Sequence, residues 1–129
     1  MAEPNTAVPF RNRRLQPRYP LPADAGATIS FRYPFPHGEM VEAPLRDISL
    51  SGLSLVLPEA LSRVQVGDIV NAIEARVAKK RFRGDLLVMH VTGTGEPGAV
   101  CGGLFYPEGD EDLITIRLVL RSLEAAARG

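Results

Sequence analysis

The stretch Leu45-Arg-Asp-Ile-Ser-Leu-Ser-Gly-Leu-Ser-Leu-Val-Leu57 decides how the chain is read. Its second half alternates, with Leu53, Leu55 and Leu57 on one face, which is the period-two pattern of a strand with one side in a core. Its first half ends a run over residues 40–48 that reads as another strand. Between them, residues 47–52 read as an extended segment place Ile48 and Leu50 on an anchoring face and Asp47, Ser49 and Ser51 on a presented one.

Further strands lie on either side. Upstream, residues 27–33 put Ile29, Phe31 and Tyr33 opposite Thr28, Ser30 and Arg32, and Pro34, Pro36 and Gly38 mark the turn that follows. Downstream, a short helical turn is expected after Pro58, and Val66, Gly67 and Asp68 form a turn. A strand over residues 69–77 then has Ile69, Ile73, Ala75 and Val77 on a common side. A charged hairpin over residues 79–85 precedes a fifth strand at 86–92. A connection through Gly93, Gly95 and Gly98 leads to a sixth at 100–106. Six short strands within residues 27–106 predict an all-β protein, a six-stranded antiparallel barrel that leaves no open edge. From Asp110 the period changes: Leu113, Ile116, Leu120 and Leu123 recur at helical spacing. Asp110, Glu111 and Asp112 suit the positive end of a helix over residues 110–127, and Arg117, Arg121 and Arg128 lie toward the negative end.

Residues 1–10 are polar and aperiodic and read as a flexible tail. Residues 11–22, rich in arginine and proline, read as an extended arm, because Pro17, Pro20 and Pro22 each bias the preceding residue away from helix. A single domain over residues 11–129 is expected from the length of 129 residues and the 45% hydrophobic content. The net charge is zero, yet Arg11, Arg13, Arg14 and Arg18 crowd one end and Glu108, Asp110, Glu111 and Asp112 the other. This argues against a bulk grip on DNA or a membrane surface and for a local anion site. With one cysteine, Cys101, no internal disulfide forms, and His37 and His90 offer no zinc spacing, so no metal is expected and a cytoplasmic location follows as the default. No apolar run approaches the roughly 18 to 20 residues of a membrane span, and the first residues lack the order of a signal peptide.

Two strings carry chemistry. In the first, Asp47 and Ser49 would lie roughly 7 Å apart on one side of a strand. An ionised carboxylate there can accept from the N1–H and amino group of guanine, and a serine hydroxyl can donate or accept. Gly52 allows a left-handed backbone or the close approach of a ring. An ordinary strand end with an Asx-type turn accounts for the same residues. The second string, Arg14-Leu-Gln-Pro-Arg18, sits on the arm. Arginine suits an anion site there because its planar fork binds phosphate or a guanine edge bidentately and stacks on purines. The spacing is common in this chain, since of its fifteen basic residues only Lys79 and Lys80 are not arginine. It recurs at Arg117 and Arg121, where helical turns make it a solvated face.

Together and in this order, the two strings resemble the paired signature of PilZ domains, bacterial receptors for the second messenger cyclic di-GMP. The resemblance runs from about Arg11 to the final helix and includes Gly103-Leu-Phe105, which looks like the last barrel strand of that family. It implies a six-stranded PilZ-like barrel with a C-terminal helix; no enzymatic activity is expected, because the sequence offers no nucleophile–histidine pairing, metal cluster or phosphate-cradling glycine loop. Arg14 and Arg18 would contact phosphates and guanine, and Asp47, Ser49 and Gly52 would form a guanine pocket. Arg13, just before the first motif arginine, implies two stacked cyclic di-GMP molecules rather than one. His90 falls near where some members place an aromatic ring against the ligand, and it reads equally as a strand-packing histidine. Pro17 between the motif arginines departs from a helical arm. The implied ligand is cyclic di-GMP, no cofactor is expected, and the implied partner is an unidentified downstream protein, with no DNA and no membrane insertion. The chain itself is expected to be a monomer or weak homodimer. The alternative is a PilZ-like protein-interaction adaptor that binds no nucleotide. A single-strand RNA binder ranks last, because the aromatic content is 6% without tryptophan.

Overall fold

Ile29 and Phe31 from one strand, Leu53 and Leu55 from another, and Ile73, Phe82, Leu86 and Val88 from two more converge on one buried interior. The structure is a computed structural model, and it describes residues 17–22, 26–93 and 98–128. The tail over residues 1–10 and the part of the expected arm that carries Arg11, Arg13 and Arg14 lie outside the described residues.

Among the described residues seven strands and a helix follow in order: β1 (Tyr19–Pro20), β2 (Thr28–Tyr33), β3 (Glu39–Ile48), β4 (Gly52–Val56), β5 (Ile69–Val77), β6 (Lys80–Thr92), β7 (Val100–Pro107) and α1 (Asp110–Arg128). A 3-10 turn at Glu59–Leu61 buries Leu61 where the short helical turn was expected. All pairings are antiparallel, and the order β3-β2-β5-β6-β7-β4 closes on itself through β3 and β4. The result is the closed six-stranded antiparallel barrel that the strand spacing predicts, with β1 as a short addition beside β3. Each fully buried leucine, isoleucine or phenylalanine in its interior contributes about 1.5 to 3 kcal/mol. Cys101 lies in this interior, and burial pushes its thiol up to about 11, so it behaves as a small apolar side chain.

Several boundaries differ from the periodic reading, each for a local reason. Val70, not Ile69, faces inward, because Asn71 and Ala72 together oppose one residue of β6 and shift the register between Val70 and Ile73. The charged hairpin shrinks to the pair Ala78–Lys79, both at positive φ, and β6 begins at Lys80, well before the expected residue 86. On α1 the buried residues are Ile116 and Val119, with Leu120 and Leu123 beside them, whereas Leu113 is exposed at the first turn. That turn is fixed by Asp112, whose carboxylate accepts from the Gly109 N–H at 3.1 Å and from the Arg83 N–H on β6 at 2.8 Å. Among the described residues no helix is long and apolar enough to cross a membrane.

Candidate functional site

Continued alternation along β3 would carry Ala43 and Leu45 inward and Asp47 with them. A register shift between Leu45 and Asp47 inserts Arg46 as an extra residue, so Ile48 takes the inward place and Asp47 turns out. The same device operates on β6. Leu86 and Val88 face inward, the shift between Val88 and His90 inserts Met89, and His90 turns to the outer face. Bulges that re-aim a side chain are common beside binding sites.

The two re-aimed residues end on one row. Asp47 of β3 is opposite Ser54 of β4, Ser54 is opposite Gly102 of β7, and Gly102 is opposite His90 of β6. With strands about 4.8 Å apart the row spans roughly 14 Å, wide enough to seat a nucleobase. Gly102 keeps it flat: a β-carbon there would meet His90 Cε1 at 2.7 Å and Ser54 Cβ at 2.8 Å. The Ser54 hydroxyl is buried and has no hydrogen-bond partner among the described residues, a state that costs about 1 to 3 kcal/mol. Ser54 and Gly102 were not singled out from the sequence. Their signal was a polar residue on the outer face of an alternating strand, two positions after Gly52.

At the Asp47 end stands the base of the arm. Leu21 is buried in the core and its N–H donates to the Arg46 carbonyl at 2.8 Å, while Tyr19 packs half-buried above the barrel. With those two side chains turned inward, Arg18 falls on the outer side, and its Nη1 donates to Asp47 Oδ1 at 3.0 Å. The guanidinium is 54% exposed and the carboxylate 23%, so both remain within reach of a ligand. Arg13 and Arg14, the other arginines named for the site, lie outside the described residues.

Past Ile48 the expected alternation stops. Ser49 is buried rather than presented. Its N–H donates to the Gly52 carbonyl at 2.9 Å and its hydroxyl to the same oxygen at 3.4 Å, closing a tight turn. Leu50, assigned to the anchoring face, is exposed at the tip. Ser51 ties the turn to β7, its carbonyl accepting from the Phe105 N–H at 2.9 Å. Gly52 serves close approach, but of a strand rather than a ring: a β-carbon would run into the Gly103 carbonyl of β7.

Chemically the row offers a carboxylate for a purine edge, a cation above it and an imidazole at the far end, with the buried Ser54 and Gly102 between them. No protein-family model matches the chain. No curated protein matches it significantly either. Solved structures do. MrkH of K. pneumonia, in a structure described as a c-di-GMP complex, superposes with a TM-score of 0.74 at 22% identity over 90% of this chain and 53% of that one. The PilZ domain of YcgR from Escherichia coli with c-di-GMP gives 0.68 at 19% identity, covering 90% of this chain and 95% of that domain. The Bacillus subtilis inhibitor of motility, MotI/DgrA, gives 0.60 at 16% identity over 85% of this chain. The chain thus spans about half the length of MrkH and nearly all of the YcgR domain. Likeness at this level concerns architecture, and in architecture the chain is a PilZ-like domain.

Proposed function

We propose that this chain is a cyclic di-GMP receptor that acts without catalysis of its own. The observation that carries the reading is the Arg18–Asp47 pair on the outer face of a PilZ-like barrel, beside the tight turn of Ser49 and Gly52. Two of the three neighbours described above are structures with c-di-GMP, which supports the same ligand here. On binding, Asp47 exchanges Arg18 for the N1–H and amino group of a guanine, and Arg18 turns to a phosphate or to the face of the base. Arg14 supplies the second cation and Arg13 a third, which together offset most of the four phosphate charges of two stacked dinucleotides. Closure of the arm changes the exposed surface, and through it the signal passes to a partner protein.

Titration calorimetry with cyclic di-GMP tests this. Wild type is expected to bind at micromolar concentration or better with two nucleotides per chain. Arg14→Ala, Arg18→Ala and Asp47→Ala should each weaken binding by roughly ten- to a hundredfold, the loss of about 1.5 to 3 kcal/mol for one charge-assisted contact. One nucleotide per chain would reject the stacked pair alone. The adaptor reading is favoured by one observation, the burial of the Ser49 hydroxyl against Gly52. It prevails if wild type takes up no nucleotide.

A further inference from the structure

Arg117 and Arg121 repeat the spacing of the arm's arginines, and on sequence they form a solvated helix face. Their placement differs from that. With Leu120 and Glu124 they line a groove of about 210 Å³ whose other wall is Pro17, Tyr19 and Leu50. Pro17 immediately precedes Arg18, and Leu50 stands three residues beyond Asp47 at the tip of the motif turn. One wall of the groove is thus made of sequence neighbours of Arg18 and Asp47. Leu50 and Leu120 give it an apolar floor, and Leu50 is exposed only because the chain turns at Ser49 instead of continuing as a strand. Arg117 and Arg121 are one helical turn apart, a like-charged spacing that costs energy when nothing lies between the two groups. Neither forms an ion pair within 4 Å among the described residues. Glu124, one turn further on, places negative charge at the far end and leaves the Arg117 end to an anion.

We propose that Arg117 and Arg121 of α1 form a second cationic wall of the nucleotide site and hold a phosphodiester group of the cyclic dinucleotide in the groove between α1 and the β3–β4 turn. This rests on the receptor reading above. The groove is smaller than the roughly 300 to 1,000 Å³ of a complete ligand site, so it takes one edge of the molecule while the row from Asp47 to His90 takes a base. Arginine again fits the task, since two guanidinium groups one turn apart can chelate a single phosphate.

Calorimetric titration with cyclic di-GMP over a range of salt concentrations, on wild type, Asp47→Ala, the double variant R117A/R121A and the double variant R117K/R121K, tests the assignment. The alanine pair should lose at least tenfold in affinity and show a shallower salt dependence, at an unchanged melting temperature, and the lysine pair should recover part of the loss. Wild-type affinity and salt dependence in the alanine pair, alongside lost binding in Asp47→Ala, would overturn this inference and leave the receptor reading standing. A loss accompanied by a lowered melting temperature and not recovered by lysine would also overturn it, by assigning the arginines to seating the helix. Absence of binding in wild type would remove both readings together.

Discussion

At the scale of single residues, Arg18 and Gly52 separate binding from folding. The Arg18–Asp47 pair is solvent-accessible on its cationic side, and pairs of that kind are worth only about 0.2 to 1 kcal/mol. Arg18→Ala should therefore leave the urea midpoint almost unchanged while weakening cyclic di-GMP. Gly52→Ala should do the reverse of what a purely ligand-lining glycine would do. Its β-carbon collides with the Gly103 carbonyl of β7, and overpacking against backbone costs about 1 to 3 kcal/mol or more, so urea unfolding should shift down whether or not nucleotide is present. An unchanged midpoint would show that β7 yields at no cost and that Gly52 is kept for the ligand alone. Asp47, Ser49 and Gly52 were legible as a group because the chain spaces them at the end of a strand. Which of them faces solvent was not, because Ser49 is drawn inward by a carbonyl three residues away.

At the scale of elements, period two identified the barrel strands and then lost their phase wherever an extra residue entered. Ile69 was assigned to the core and lies outside because of the bulge at Asn71 and Ala72. The bulges at Arg46 and Met89 leave no compositional trace either, and they turn Asp47 and His90 outward. The tight Ala78–Lys79 turn escaped for a different reason: both residues adopt positive φ without the Asn-Gly or Asp-Gly pair that usually announces it. The β5 bulge is held from outside. The Ala72 N–H donates to Asp85 Oδ1 at 2.8 Å while Ala72 sits at a φ of 55°. Removing the acceptor by Asp85→Ala is expected to lower stability by about 1 to 2 kcal/mol. Ala72→Gly should raise it by about 0.5 to 1 kcal/mol, since glycine enters the left-handed region without the steric cost that alanine bears. Urea unfolding of the two variants reads both signs, and a destabilised Ala72→Gly would mean that the side chain, not the backbone angle, holds the bulge.

At the scale of the whole molecule, the ring closes at one of its two shortest seams. The joint between β3 and β4 consists of three paired positions, Leu45 with Leu55, Asp47 with Ser54 and Ile48 with Leu53, whereas β6 and β7 are joined along eight. The candidate site lies on that seam: Asp47 and Ser54 are themselves one of its pairs, and the turn that continues it is bonded to β7 through Ser51 and Phe105. A ligand held by Asp47 and the arm thus clamps one of the two joints with the fewest paired positions, and binding and global stability become coupled. At a free concentration one hundred times the dissociation constant, cyclic di-GMP should add about 2.7 kcal/mol, roughly a 10 °C rise in melting temperature for a domain of this size. Amide exchange locates the effect. The N–H groups of Ser49 and Phe105, bonded to Gly52 and Ser51, should slow most on binding, while those at the Ala78–Lys79 hairpin across the barrel change least. Uniform slowing that merely tracks the rise in global stability, with no excess at Ser49 and Phe105, would place the nucleotide away from the seam and remove Asp47 from its contact surface.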